Sequence, residues 1–163
     1  MVNSKTKDPA HQLYKTLREI TVCCQEREEL QARSFGLTSA EARCLNVMLL
    51  SDIRNTAELA EKMLIAKSRV TRILDGLVKK DLVIRSESKA DRRLCLVTLT
   101  AAGSRIATGL MESILKVHEE VLKGLPEAER DNVLNTISSL YDEMLIVKRK
   151  LQKESGSIKN DGE

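Results

Sequence analysis

Aromatic residues are almost missing: the 163-residue chain has one Phe, two Tyr and no Trp. Its core must come from Leu, Ile, Val, Met and Ala, a mix that favours helix over sheet. Histidine is as scarce, with only His11 and His118, far apart in sequence. A histidine-based metal site is therefore not expected. The four cysteines, Cys23, Cys24, Cys44 and Cys95, form no CxxC pair. The usual zinc and disulfide-exchange signatures are thus absent, and a reducing compartment would keep these thiols free. No apolar run approaches the roughly 20 residues that span a bilayer. The stretch Met1 to Ala10 is polar and lacks the apolar segment of a secretion signal. A cytoplasmic protein is expected, without a membrane partner or a cofactor. Phosphate loops, metal quartets and nucleophile motifs are also missing, so an enzyme is not expected.

Apolar residues make up 42% of the chain, enough for a core, and the charge is unevenly placed. Residues 54–93 hold 11 Lys and Arg against 6 Asp and Glu, a net +5, while the rest of the chain is at −2. Clustered positive charge is the footprint of a polyanion partner.

Hydrophobic spacing reads mostly as helix. Leu13, Leu17, Ile20 and Cys24 mark a first helix over 11–32, closed before Gly36. Thr38 with Glu41 three residues on is a capping box, opening a second helix to about Leu50. Asn55 with Glu58 repeats the pattern before a third helix over 56–63. A fourth runs over 67–80. Two β-rich runs follow, Leu82 to Arg85 and Leu94 to Leu99, around a polar loop. They read as a hairpin. Ile106, Leu110, Ile114, Val117 and Val121 mark a fifth helix, ended by Gly124. Pro126 suits the first turn of a sixth. That helix carries Val133, Ile137, Leu140, Met144, Val147 and Leu151 at alternating spacings of four and three, a heptad seam.

The order predicts a mainly α chain: a winged helix-turn-helix with a two-stranded β-wing, flanked by N- and C-terminal dimerisation helices. The expected boundaries are a disordered start over 1–8, helical dimerisation segments over 9–35 and 101–152, a DNA-binding domain over 37–100, and a disordered tail over 153–163.

The central segment carries the chemistry. On a helical wheel Val70, Ile73, Leu74 and Leu77 share one face, and Arg69, Arg72, Gly76 and Lys79 fall roughly opposite. A basic outer face suits the major groove, where Arg donates twice to guanine. Arg92 and Arg93 sit near the hairpin tip, and an Arg on a narrow finger suits the minor groove. Asp91 beside them is read as orienting a neighbouring Arg rather than meeting DNA.

The stretches Asn55 to Ala60, Val70 to Lys80, Asp91-Arg92-Arg93 and Leu96 to Gly103 together resemble the MarR family of winged-helix transcriptional regulators. The resemblance covers about residues 10–151. It implies a homodimer held by its first, fifth and sixth helices, binding double-stranded DNA at a pseudo-palindromic operator. It places Lys67, Ser68, Arg69, Thr71 and Arg72 on the recognition helix and Arg92 at the wing tip. It also implies a repressor released by a small-molecule effector. Two departures stand out. Asp81 replaces a glycine in the left-handed turn before the first wing strand, a conformation Asp tolerates. Ala66 replaces the Ser or Thr cap of the recognition helix, weakening the cap by about 1 kcal/mol.

Two other readings stay open. Cys23 and Cys24 are candidates for oxidant sensing, which needs an exposed thiolate of lowered pKa. A winged helix can also serve as a protein-docking module.

Overall fold

The structure, a computed structural model, describes residues 8–51, 53, 55–87 and 95–157. Asp91, Arg92 and Arg93 lie outside the described residues. The elements are α1 (Pro9–Ser34), α2 (Ser39–Leu50), α3 (Thr56–Met63), α4 (Lys67–Lys79), β1 (Val83–Glu87), β2 (Cys95–Leu99), α5 (Ala101–Lys123), a 3-10 turn (Glu127–Glu129) and α6 (Arg130–Ser157). They fall into two units, Met1–Leu115 and Lys116–Glu163.

Local chemistry sets most of the boundaries. Asp8 caps α1 by accepting from the Ala10 N–H at 3.1 Å, and Pro9 occupies a position where a missing N–H costs nothing. The capping box closes as expected: the Glu41 N–H donates to Thr38 Oγ1 at 3.2 Å, and the Thr38 N–H donates to Glu41 Oε2 at 2.8 Å. Asn55 Oδ1 accepts from the N–H groups of Ala57 and Glu58 at the head of α3. Ala66 precedes α4 with no side-chain cap, in line with the sequence. Ala66→Ser should therefore stabilise the fold by about 1 kcal/mol in denaturant melts, by satisfying a free amide of the first turn.

The first unit is built around a cluster of aliphatic side chains. Leu45, Leu59, Val70, Leu74, Leu77, Val83, Val97 and Leu110 are all fully buried, drawn from α2, α3, α4, the hairpin and α5. Burying each Leu contributes roughly 2 kcal/mol. The end of α1 joins this core through Ala32 and Gln31, and Gln31 Nε2 donates to Ser113 Oγ of α5 at 3.3 Å. Strands β1 and β2 pair antiparallel, with Val83 opposite Leu99 and Glu87 opposite Cys95. An isolated bridge from Asn55 to Leu96 ties the start of α3 to β2.

Two non-glycine residues adopt the left-handed conformation. Asp81, at φ 55°, makes the turn into β1 as the sequence suggested. Leu64, also at φ 55°, closes α3 and was not foreseen, since nothing in its side chain favours that region.

In the second unit Pro126 caps the 3-10 turn, and α6 begins only at Arg130. The sequence placed the start of the sixth helix at Pro126. The difference is one tight turn, a frequent prelude to a helix. The helix then runs to Ser157, into the stretch expected as tail. None of its described residues is buried within the chain, and Ile137, Met144, Val147 and Leu151 are each at least half exposed. The front of α1 likewise leaves Leu13, Tyr14 and Ile20 exposed. No described helix is long and apolar enough to cross a membrane.

Candidate nucleic-acid interface

Helix α4 is amphipathic by construction. Val70, Ile73, Leu74 and Leu77 are buried in the core, which holds the helix down along one side. Lys67, Ser68, Arg69, Thr71 and Arg72 are all exposed, so the structure gathers five of the expected site residues on its first turn and a half. The Thr71 hydroxyl turns back to donate to the Lys67 carbonyl at 3.1 Å, leaving its lone pairs as acceptors. Ser68, Arg69 and Arg72 border a shallow depression with Ile73, Thr38 and Glu41. This concave strip lies between the head of α2 and the outer side of α4.

Gly76 corrects the wheel reading. It is half-buried against α2 rather than on the outer face. A Cβ there would come within 2.6 Å of Glu41 Oε1. Glu41 itself is buried, and its Oε2 accepts from Lys80 Nζ at 2.7 Å. Lys80 Nζ also donates to the Gly36 carbonyl at 2.8 Å. The end of α4 is thereby fastened to the head of α2. Burial pushes the Glu41 carboxyl up, but the hydrogen bonds from Lys80 and from the Thr38 N–H and hydroxyl outweigh it. Its pKa ends below the ordinary carboxylate value.

The hairpin is fastened to α4 as well. Arg85, on β1, donates from Nη1 to Asp75 Oδ1 and from Nη2 to the Thr71 carbonyl, both at 2.7 Å. Neither Arg85 nor Asp75 stood out in the sequence, because their pairing depends on how the strand returns over the helix. The charge excess of 54–93 gave the only hint.

The cysteines are dispersed. Cys23 is exposed and Cys24 half-buried on α1, Cys44 is buried in α2, and Cys95 is half-buried on β2. Burial, with the Glu41 charge adding to it, pushes the Cys44 thiol up to about 12. It stays protonated at neutral pH and is a poor nucleophile. Among the described residues no group of three or more His, Cys, Asp or Glu could hold a metal ion.

Comparison with known proteins bears on the whole arrangement. Residues 35–94 match the family model described as MarR family. The uncharacterized HTH-type transcriptional regulator YsmB of Bacillus subtilis is 24% identical over 94% of this chain and 97% of its own length. The HTH-type transcriptional regulator SarZ of Staphylococcus aureus is 30% identical over 51% of this chain, a match that spans about half of SarZ, 55% of it. Among solved structures, a MarR family protein from Bacillus stearothermophilus superposes with a TM-score of 0.75 at 23% identity, covering 89% of this chain and 99% of that one. The S. aureus MepR–DNA complex superposes with a TM-score of 0.66 at 16% identity, covering 80% and 96%. The relatives are described as regulators, in keeping with the expectation that the chain is not an enzyme.

Proposed function

From the match of residues 35–94 to the MarR family model and the similarity to HTH-type transcriptional regulators, we propose that the chain is a winged-helix transcriptional regulator of the MarR family, binding a pseudo-palindromic operator sequence-specifically as a homodimer. The observation that carries this is the first half of α4. Five polar or basic side chains are exposed on a helix whose opposite face is buried in the core. Lys67, Ser68, Arg69, Thr71 and Arg72 would meet base edges and phosphates in the major groove. The N–H groups at the head of α4, which no side chain caps, would be donors to phosphate. Arg92 and Arg93, with Asp91 orienting them, would enter the adjacent minor groove from the wing.

The dimer reading rests on α1 and α6. Ile137, Met144, Val147 and Leu151 of the α6 heptad seam are each at least half exposed, and contiguous apolar surface of that kind marks an interface. An isologous two-fold pairing of these helices would set two α4 helices about one turn of DNA apart. Repression relieved by a small-molecule effector follows the family pattern. Such a ligand acts only by binding the DNA-competent and incompetent dimers with different affinity.

Arg72→Ala should lower operator affinity about tenfold at fixed salt, the loss of one good base or phosphate contact. Arg92→Ala should act in the same direction, with the dimer intact by sedimentation in both. Unchanged affinity in both variants would defeat this assignment. The redox alternative keeps one observation in its favour, the exposure of Cys23. Reversible loss of binding under peroxide, restored by dithiothreitol and abolished in Cys23→Ser, would establish it.

A further inference from the structure

We propose that Arg85 is a positioning residue that fixes the hairpin against the recognition helix and so sets how selectively the protein reads its operator; this rests on the DNA-binding reading above. Arg85 leaves β1 and spans one turn of α4, gripping the Asp75 carboxylate with one terminal nitrogen and the Thr71 carbonyl with the other, each at 2.7 Å. Its Nε is buried without an acceptor among the described residues, so the hold is made by the two ends of the fork. A planar guanidinium bound at two points one helical turn apart resists both sliding and rotation of the strand along the helix. Thr71 belongs to the proposed reading surface and Asp75 lies one turn further along the same helix. The strand ends at Glu87, five positions before Arg92 in the sequence.

Stability alone does not account for this contact. The Asp75 side chain is 50% exposed and that of Arg85 28%, and an ion pair whose carboxylate is half open to water contributes little to folding. A carboxylate on the DNA-facing side of a recognition helix is also costly beside phosphate. Arg85 neutralises it in place, and in turn is not free to grip phosphates at random. The pair therefore removes a sequence-independent attraction and a repulsion together, and leaves geometry as its contribution.

The test compares Asp75→Asn and Arg85→Lys, both close in size to the originals, with the double variant. Affinity is measured at fixed salt for a duplex selected by the wild-type protein and for an unrelated duplex of equal length. Electrostatics alone would move the two single variants differently. Asp75→Asn would tighten both duplexes equally, Arg85→Lys would leave both nearly unchanged, and neither would alter their ratio. The clamp predicts that the ratio of operator to unrelated affinity falls in both singles by about fivefold, the effect of one lost charge-assisted contact. The double should fall no further than either single, because the two residues act as one unit. Near-unchanged thermal melts should accompany these losses. A wild-type protein that selects no sequence overturns the regulator reading and the clamp with it. A selective wild type whose ratio survives both substitutions overturns the clamp alone.

Discussion

Gly103→Ala should destabilise the protein by about 3 kcal/mol or more, the upper range for forcing a methyl into closed packing. A Cβ at Gly103 would sit inside the Leu82 carbonyl group, 2.9 Å from its carbon and nearer still to its oxygen. That oxygen cannot yield, because it already accepts from the Thr100 N–H at 3.1 Å. Thr100 adds two further ties. Its hydroxyl donates to the Asp81 carbonyl and accepts from the Gly103 N–H, each at 2.8 Å. The entrance to β1, the exit from β2 and the first turn of α5 thus meet at one point, and only a residue without a side chain fits it. Thermal melts should show a midpoint lowered by about 10 °C, scaling the free-energy loss for a chain of this size. Ala101→Gly, on the exposed side of the same turn, should cost only the helix-propensity difference of about 1 kcal/mol.

The second large effect should appear at Glu41. Glu41→Ala should cost about 3 kcal/mol, since it removes the partner of a charge and leaves the Thr38 N–H without its acceptor. Gly76 makes the contact testable in a second way. In the wild type Gly76→Ala should destabilise, because Glu41 Oε1 occupies the space and its carboxylate is pinned by Thr38 and Lys80. In the Glu41→Ala background the same substitution should stabilise by about 1 kcal/mol, the propensity gain of Ala over Gly in a helix. The pH dependence follows from the lowered pKa of Glu41. As pH falls the unfolded chain takes up this proton first, near the ordinary value of about 4.5. The stabilisation is therefore complete above that value and is lost as pH drops through the lower folded value. Acid unfolding of Glu41→Gln should lack that portion of the slope.

These two sites also mark what could be read from the sequence and what could not. The buried face of α4 was legible because Val70, Ile73, Leu74 and Leu77 repeat at helical spacing. The Thr38–Glu41 cap was legible because three residues suffice to make it. The left-handed turn at Asp81 was expected from the family resemblance, which implies a glycine there, and not from any local pattern. The remaining contacts are long-range. Lys80 reaches Glu41 across 39 positions, and Arg85 reaches Thr71 across 14. Gly103 is fixed by a carbonyl 21 residues earlier. No local pattern encodes such meetings, so Arg85 and Asp75 passed as ordinary surface charges and Gly76 was assigned to the wrong side. Leu64 is left-handed because the chain must turn from α3 into α4 there, against its own side-chain preference.

Whether the protein reads DNA sequence is decided by selecting duplexes from a random pool with the purified full chain and measuring affinity for the winning sequence across a salt series. Enrichment of an inverted repeat with half-sites about one helical turn apart is expected, with a log affinity that falls linearly with log salt by about 0.9 for each phosphate contacted. Enrichment of no sequence above the unselected pool, or an affinity indifferent to salt, would contradict the regulator reading.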